Sequence, residues 1–342
     1  MKYLPLLALL CTSTFATEGL RPILYNHPGL VVDLEVGLWA WPVPCDADGD
    51  GDFDLIVSCP DKPHNGVYLF ENTTGDTAKK AMPVFKPGKF LSKTETYIMP
   101  SYVNGKMRVM RPGVEFPEFT TQGTLVKKPI PNPSSKWYKP QGKQTKGPKL
   151  RHHQWRYTDY DGDGQTDLVA AVEDWSYYGW DDAWNAVGEW QNGPLHGFVF
   201  IFRNTGSNEA PNYTQEFRVQ PVDTYGCPSP NFEDFDKDGD LDLLCGEFLD
   251  KFTYFQNIGT RTEPKYSKGV RILDSAGKHL RMDLEMIDPV AFDWDKDGDF
   301  DLICGDEDGR VAFIENTGLL GPNQTPVFNK PRYFQQEAHE IN

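Results

Sequence analysis

Short apolar runs recur along the chain, and each directly follows a loop in which nearly every second residue is Asp. The four runs are Leu55-Ile-Val, Leu168-Val-Ala, Leu243-Leu-Cys and Leu302-Ile-Cys. Each is followed by a second apolar run that ends in Asn, at residues 67–72, 199–204, 253–257 and 311–316. A Pro-x-aromatic signal comes next, at Pro83/Phe85, Pro211/Tyr213, Pro264/Tyr266 and Pro326/Phe328. The pattern predicts a unit of four strands, with the acidic loop after the first strand and an Asn-containing turn after the third.

The spacing of the acidic loops indicates how many such units the chain holds. The last two loops begin 59 residues apart, at Asp234 and Asp293, whereas the first two begin 113 apart, at Asp46 and Asp159. The longer interval is close to two units, so we expect an intervening unit without an acidic loop near 97–126. Repeated four-stranded units are typical of an all-β fold, the β-propeller, in which each unit is a blade. About five blades are therefore visible.

The acidic loops have the composition of cation sites. Each has the register of Asp46-Ala-Asp48-Gly-Asp50-Gly-Asp52-Phe-Asp54, with Gly at position 6 for a sharp turn. Oxygen ligands from positions 1, 3, 5 and 9, with a backbone carbonyl at position 7, would surround one hard cation. Without a cation, five carboxylates at this spacing would repel each other strongly. The sequence thus predicts four structural Ca²⁺ ions, held by Asp46, Asp48, Asp50, Asp52, Asp54, Asp159, Asp161, Asp163, Gln165, Asp167, Asp234, Asp236, Asp238, Asp240, Asp242, Asp293, Asp295, Asp297, Asp299 and Asp301.

These loops differ from EF-hands at the position that matters most. An EF-hand needs Glu at position 12 and a helix after it. Here Val57, Ala170, Cys245 and Cys304 occupy position 12, and apolar strand-like runs follow. The motif instead resembles the FG-GAP/VCBS family of β-propellers. That resemblance implies acidic loops on one face of a disc and a ligand site on the other. It also implies that the five blades are part of a seven-bladed ring, in a chain truncated at its C-terminus, although a five-bladed ring is the alternative.

The net charge and the N-terminal sequence limit the partners and the location that we expect for the protein. The net charge of −16 comes from the loops, because they hold 19 acidic residues and the rest of the chain is near neutral. A general basic surface for nucleic acid is therefore not expected. Lys2, the apolar run to Leu10 and the small residues around Ala16 predict a signal peptide at 1–16 and one exported domain at 17–342, without a transmembrane segment. Five cysteines remain after cleavage, which does not indicate a disulfide framework.

Two segments of unusual composition are candidates for the ligand face. Residues 119–158 contain no Asp or Glu but many Lys and Arg, and residues 173–196 are rich in Trp and Tyr. Basic groups attract carboxylates, and aromatic faces stack on sugar rings. Together they predict a site for an acidic polysaccharide or glycoprotein glycan. The alternatives are a solvated connector for the first segment and a small satellite core for the second.

The stretches around Trp41 (Gly37-Leu-Trp-Ala-Trp-Pro) and Tyr178-Gly-Trp-Asp-Asp are similar to β-propeller polysaccharide lyases that act between rhamnose and glucuronate. That resemblance implies β-elimination at a uronic acid, in which a base removes the C5 proton and an acid protonates the leaving oxygen. The catalytic candidates are then His152, His153, His196, Tyr177 and Tyr178. The substrate-binding candidates are Arg151 and Arg156 for the carboxylate, Trp41, Trp175 and Trp180 as stacking platforms, and Asp181.

Two other functions are compatible with the same sequence. One is a non-catalytic propeller that binds a glycan or a protein. The other is a glycoside hydrolase, for which Asp181, Asp182 and Glu189 could supply the carboxylate pair.

Overall fold

The protein is all-β, as its sequence predicts, and it consists mainly of five antiparallel sheets of four principal strands. The computed structural model describes residues 29–338 except 35, 94, 118, 120–125, 132–149, 152–153 and 179–183. No helix within these ranges is long and apolar enough to cross a membrane. None of the sheets closes on itself.

We number the sheets in chain order. Sheet 1 holds Trp41–Cys45, Asp54–Cys59, Gly66–Phe70 and Lys89–Ser92. Sheet 2 holds Met99–Val103, Lys106–Arg111, Val114–Phe116 and Lys128–Pro129. Sheet 3 holds Trp155–Thr158, Asp167–Asp174, His196–Asn204 and Tyr213–Arg218, with Leu150–Arg151 added beside the second strand. Sheet 4 holds Pro230–Glu233, Asp242–Cys245, Thr253–Phe255 and Val270–Arg271. Sheet 5 holds Asp288–Phe292, Asp301–Gly305, Val311–Ile314 and Arg332–Tyr333.

The remaining elements form two smaller sheets, one of which joins the two ends of the described chain. Gln335–Glu337 pairs antiparallel with Val31–Asp33 and parallel with Val84–Phe85. Asn316–Leu320 and Pro326–Phe328 form a hairpin around the single-turn 3₁₀ helix Pro322–Gln324.

Sheet 2 is the unit that the spacing of the acidic loops predicts. Its first two strands are joined by a tight turn at Asn104 and Gly105, where the other sheets have an acidic loop. The expectation of a repeat without an acidic loop near 97–126 is therefore confirmed, and its strands extend to Pro129.

Each sheet is buried on both faces, because the second strand sends alternate side chains to two different neighbours. In sheet 1, Ile56 packs towards sheet 2, whereas Leu55 and Val57 pack towards sheet 5. In sheet 3, Ala170 faces sheet 2 and Val169 faces sheet 4. Sheets 4 and 5 share a further core, and the last core lies between sheet 5 and sheet 1. This double burial explains why the second strands of sheets 1, 3, 4 and 5 read as continuous apolar runs.

Arg156 ties three of the sheets together from the first strand of sheet 3. Its buried guanidinium donates to the carbonyl oxygens of Pro100 in sheet 2, at 3.3 Å, and Pro289 in sheet 5, at 2.7 Å. Burial lowers the pKa of Arg156 to about 10, so the group stays charged at neutral pH. In the strand register the position is equivalent to Val43, Asn231 and Val290 in sheets 1, 4 and 5.

We expect Arg156→Ala to lower the free energy of unfolding by about 2–4 kcal/mol, because two buried carbonyl groups lose a charged donor. Chemical denaturation followed by tryptophan fluorescence measures this. Arg281→Ala is the control, since its side chain is 69% exposed, and such a change should cost less than about 0.5 kcal/mol. Equal losses for the two variants would contradict a stabilising role for Arg156.

Candidate functional site

The four acidic loops share one backbone conformation. We name them loop 1 (46–54), loop 2 (159–167), loop 3 (234–242) and loop 4 (293–301). Position 6 is a left-handed Gly in each, with φ between 81° and 98°. Position 4 is left-handed too, even where it is Lys237 or Lys296 (φ 61° and 58°). Such a backbone costs a non-glycine residue on the order of 1 kcal/mol, so the loop imposes its shape on these lysines.

The Asp at position 9 joins each loop to the turn after the third strand. In loop 1, Asp54 accepts the backbone N–H of Ala47 at 2.9 Å and that of Asn72 at 2.7 Å. Loops 2 and 4 repeat both bonds, and loop 3 repeats the bond to the Asn. These carboxylates are buried. Position 9 is therefore a structural clamp, whatever else it binds.

Several oxygens in the loops face inward without a hydrogen-bond donor. At position 7, one side-chain oxygen is buried and unpaired within the described residues in all four loops: Asp52 Oδ1, Gln165 Oε1, Asp240 Oδ1 and Asp299 Oδ1. The sequence had suggested only the backbone carbonyl at this position. A buried oxygen without a donor is costly unless a cation or water binds it.

The carboxylates also converge. In loops 1 and 4, ligand oxygens from positions 1, 3 and 5 lie within 4.8 Å of one another, and in loops 2 and 3 those from positions 1, 3 and 9 do so. The converging acidic groups could hold a metal ion, and the unpaired oxygens at position 7 fit such an ion. The four loops are therefore candidate metal centres.

Burial and mutual repulsion raise the pKa values of several loop carboxyls. The pKa is raised to about 7 at Asp299, and to about 8 at Asp301, mainly by burial and then by neighbouring carboxylates. The corresponding Asp242 of loop 3 reaches about 7. Without a compensating cation, these carboxyl groups are therefore partly protonated at neutral pH.

Loop 2 differs from the other three because arginines reach it. Arg203 pairs with Asp161, and Arg261 donates to the backbone carbonyl of Asp159 at 2.7 Å. Gln165 also replaces the Asp found at position 7 elsewhere. Loop 2 thus has less negative charge left for a metal ion than the others.

The other end of the first strands carries a second repeated feature. Three residues before the proline of the first strand, the backbone is left-handed at Trp39, Tyr97, Cys227 and Met286, with φ of 64°, 59°, 33° and 53°. None of them is Gly, so each position is strained. All four side chains belong to one apolar cluster together with Trp41. Because the acidic loops follow the first strands and these residues precede them, the two features lie at opposite strand ends.

A cleft of about 330 Å³ opens beside this cluster, and we call it the Arg151 cleft. Trp39, Tyr97 and Met286 contribute apolar surface, and Trp41 packs edge-on against Trp39 and Tyr97 with ring centroids 5.0 and 5.2 Å away. Its lining residues are Leu38, Trp39, Pro60, Asp61, Tyr97, Arg151, Met286 and Glu307. The cleft therefore combines aromatic surface with one cationic and two acidic side chains.

Arg151 is positioned by the residues behind it. Its guanidinium lies 4.7 Å from the centre of the Trp175 ring and 3.9 Å from Glu173 Oε2. Glu173 also accepts the indole N–H of Trp175 at 3.1 Å. Burial raises the pKa of Glu173, and Arg151 opposes that change. The predicted residues Arg151, Trp41 and Trp175 are thus brought together, with Trp41 and Trp175 buried rather than exposed as platforms.

His196 and Arg151 lie on opposite faces of sheet 3. Arg151 is the direct cross-strand partner of Glu173, which pairs with Gly197, whereas His196 pairs with Asp174 in the next row. Successive rows point to opposite faces. His196 instead binds Asp223 at 2.9 Å, and this carboxylate raises the pKa of His196. The structure therefore does not group His196 with Arg151.

The other predicted site residues fall in three places. Tyr177 lies beside His196, with ring centroids 6.0 Å apart. Tyr178 packs on Trp175 and Trp190 in an aromatic cluster, as a satellite core would. Arg156 is buried against backbone carbonyls, as described above, and does not line the Arg151 cleft. The candidates that lie outside the described residues are His152, His153, Trp180, Asp181 and Asp182.

Sequence reasoning missed Trp39, Tyr97 and Glu173. A usable signal existed for the first two, since each stands three residues before the proline of a predicted first strand. Glu173 follows the apolar run of sheet 3 directly and gave no comparable signal.

Comparison with known proteins agrees with the repeat pattern. Residues 159–245 match the family model described as FG-GAP-like repeat. The match runs from loop 2 to the second strand of sheet 4, so it includes loops 2 and 3. This segment is therefore similar to FG-GAP-like repeats. None of the curated proteins compared with the chain matches it significantly.

We expect the free energy of unfolding in excess chelator to fall as the pH rises from about 5 to 8. Unfolded Asp has a pKa near 3.9, whereas the folded pKa values of Asp242, Asp299 and Asp301 are about 7, 7 and 8. The folded protein holds more protons in this range, so stability present at low pH is lost as these groups ionise. Urea titrations at several pH values measure the trend. Stability that stays constant or rises over this interval would contradict it.

Proposed function

We propose that the chain is an exported, calcium-stabilised five-bladed β-propeller that binds a uronate-containing glycan at the Arg151 cleft. The observation that carries the proposal is the arrangement of two repeated features at opposite ends of the first strands. One end supplies oxygen-rich loops, and the other supplies strained aromatic residues around an arginine.

The order of the shared cores supports the propeller. Each sheet packs on the sheets before and after it, and sheet 5 packs on sheet 1. Trp294 strengthens this last junction, since its indole N–H donates to the carbonyl oxygen of Ala81 at 2.7 Å. Two further blades would have to separate sheets 1 and 5, so we favour a five-bladed ring over part of a seven-bladed one.

Calcium is the cation that best suits the loops. It accepts six to eight oxygen ligands in flexible geometry, whereas Mg²⁺ demands a tighter octahedron and keeps its waters. Positions 1, 3 and 5, with position 7, would supply most of these oxygens. Export, which the N-terminal sequence predicts, would expose the loops to a compartment in which calcium sites of modest affinity are filled. Loop 2 would bind most weakly, because Arg203 competes for Asp161.

Calcium at millimolar concentration should raise the melting temperature of the chelator-treated protein by several degrees at pH 7.5, because a ligand that binds only the folded state stabilises it. Differential scanning calorimetry measures the shift. Magnesium at the same concentration should give a much smaller shift.

Two variants test where the cation acts. Asp297→Asn removes a carboxylate from the converging group of loop 4 and should reduce the calcium-dependent shift. Asp308→Asn, at an exposed position outside the loops, should leave it unchanged. An identical melting temperature with calcium and with chelator would refute the proposal.

The Arg151 cleft has the features of a carbohydrate site. Aromatic surface from Tyr97 and Trp39 suits the apolar face of a sugar ring, while Asp61 and Glu307 can accept hydrogen bonds from hydroxyls. A guanidinium binds a carboxylate in two parallel hydrogen bonds, so Arg151 favours a uronic acid. Backbone strain of the kind seen at Trp39, Tyr97 and Met286 is concentrated at ligand sites in proteins.

β-Elimination of the bound uronate is a second candidate function. Tyr97 lines the same cleft as Arg151, and burial raises the pKa of its hydroxyl, which favours the protonated form. With Arg151 neutralising the carboxylate, a base would take the C5 proton, and the C4–O bond would break as Tyr97 protonates the leaving oxygen. His152 and His153 are the predicted bases.

Arg151→Met should weaken binding of glucuronate-containing arabinogalactan by roughly tenfold, because a charged hydrogen bond to the carboxylate is lost. Isothermal titration calorimetry measures the affinity, and the same mixtures are followed for the ultraviolet absorbance of an unsaturated uronate. Lys89→Met, in the outer strand of sheet 1, is the control and should bind normally.

Tyr97→Phe separates the two candidate functions, because it keeps the ring and removes the hydroxyl. A lyase would bind normally and lose most product formation, whereas a binding protein would form no unsaturated product in any variant. Unchanged affinity of Arg151→Met would reject the Arg151 cleft as the uronate site in both cases.

A further inference from the structure

A second cleft, of about 450 Å³, lies between the outer parts of sheets 4 and 5. We call it the basic cleft. Four cationic side chains line it, Lys251, Lys278, Arg281 and Lys330, together with His279. This is unexpected in a chain with a net charge of −16.

The backbone around the basic cleft holds these side chains in place. Leu273 pairs with His279, and the N–H of Asp274 donates to the carbonyl oxygen of Lys278, so the segment forms a tight hairpin. Ser275 fastens the hairpin to the chain before Lys330, because its N–H donates to the Phe328 carbonyl at 2.8 Å. Lys251 and Arg281 are cross-strand partners in an isolated bridge. The cationic groups are therefore carried by segments of fixed geometry.

The acidic residues near the basic cleft are already engaged. Asp274 accepts the backbone N–H groups of Ala276 and Lys278 at 2.9 and 2.8 Å. Asp283 pairs with Arg310 at 3.3 Å. Asp250 forms ion pairs with Lys251 and Arg281 at 3.0 and 3.8 Å, and both of those side chains remain partly exposed.

Lys278 and Lys330 supply positive charge that these acidic residues do not neutralise. Both are exposed, and the ion pairs of the described residues include neither of them. Tyr333 adds a hydroxyl, whose oxygen accepts the N–H of Asp283 at 3.1 Å. Its proton stays in place at neutral pH, since burial raises the pKa of Tyr333 to about 12. The basic cleft thus offers two ammonium groups and a hydroxyl donor to an anion.

The chain connects the basic cleft to the Arg151 cleft. Arg281 lines the first and Met286 lines the second, and both belong to the segment that joins sheet 4 to sheet 5. Arg281 and Met286 are five positions apart in this segment, so the two clefts are neighbours along the chain.

We propose that the basic cleft is a second binding site, which takes the carboxylate or sulfate groups of an anionic polysaccharide. Its several cations in about 450 Å³ suit successive charged sugar units. A local cationic cleft can bind a few charged units of such a polymer despite the acidic remainder of the surface. Nucleic acid usually needs a broad basic surface, which the net charge does not favour. This site does not depend on a ligand in the Arg151 cleft.

The test compares two double variants of the full chain. Lys278→Glu/Lys330→Glu reverses the charge of the basic cleft, and Lys89→Glu/Lys106→Glu makes the same change at exposed strand positions of sheets 1 and 2. The probes are polygalacturonate, dextran sulfate, neutral dextran and duplex DNA, with affinities measured by biolayer interferometry at several salt concentrations. Lys278→Gln/Lys330→Gln replaces the first variant if melting shows that it does not fold.

We expect the cleft variant to bind polygalacturonate or dextran sulfate roughly tenfold more weakly than the control variant, with a weaker salt dependence. Neutral dextran should not bind at this site. Arg151→Met combined with the cleft variant should weaken binding further, so failure of one cleft is distinguishable from failure of the other. Equal affinities of the two double variants, or tighter binding to DNA than to both anionic polysaccharides, would overturn the proposal.

Discussion

The structure depends on one repeated interaction, the clamp made by a buried aspartate at position 9 of each acidic loop. In loops 1, 2 and 4 this carboxylate accepts one N–H from its own loop and one from the Asn after the third strand. It thereby fixes the first, second and third strands relative to one another at one end. Because a buried carboxylate needs such donors, the clamp explains the Asp in the repeat. The side chain of the Asn donates back to the loop, from Asn72 to the Phe53 carbonyl and from Asn316 to the Phe300 carbonyl, both at 3.2 Å.

The clamp also divides the molecule into two chemically different ends. The chain must turn sharply where the loops lie, and it does so through left-handed residues and converging carboxylates. At the other end the chain comes to the first strands of sheets 2–5 from the preceding sheet, and strain at this end falls on Trp39, Tyr97 and Met286. The first end is specified by local sequence, and the second is specified by how the sheets meet.

The comparison of prediction with structure follows the same division. The acidic loops, the turn conformation at Gly51 and the sheet without an acidic loop are all local or periodic features, and all were predictable. The candidate site was predictable only in part. Arg151 and Trp175 do meet, but Arg156 is buried against two carbonyl groups of other sheets. His196 lies on the opposite face of sheet 3 from Arg151, since their rows differ by one residue. A one-residue difference in register moves a side chain to the opposite face of the sheet. The composition of a segment does not reveal its register.

By itself, the sequence determined the all-β class, the repeat, the acidic loops and the segment that matches the FG-GAP-like repeat. The alternation of side chains and the turn residues are local signals that extend over a few positions, so they can be read directly from the sequence. Only the tertiary structure decided which residues share a cleft. The contact of sheet 5 with sheet 1 brings Leu38 and Trp39 beside Met286 and Glu307. The hairpin at 273–279 brings Lys278 near Lys330. Both groupings join residues that are tens to hundreds of positions apart, and only the packing of whole sheets fixes them.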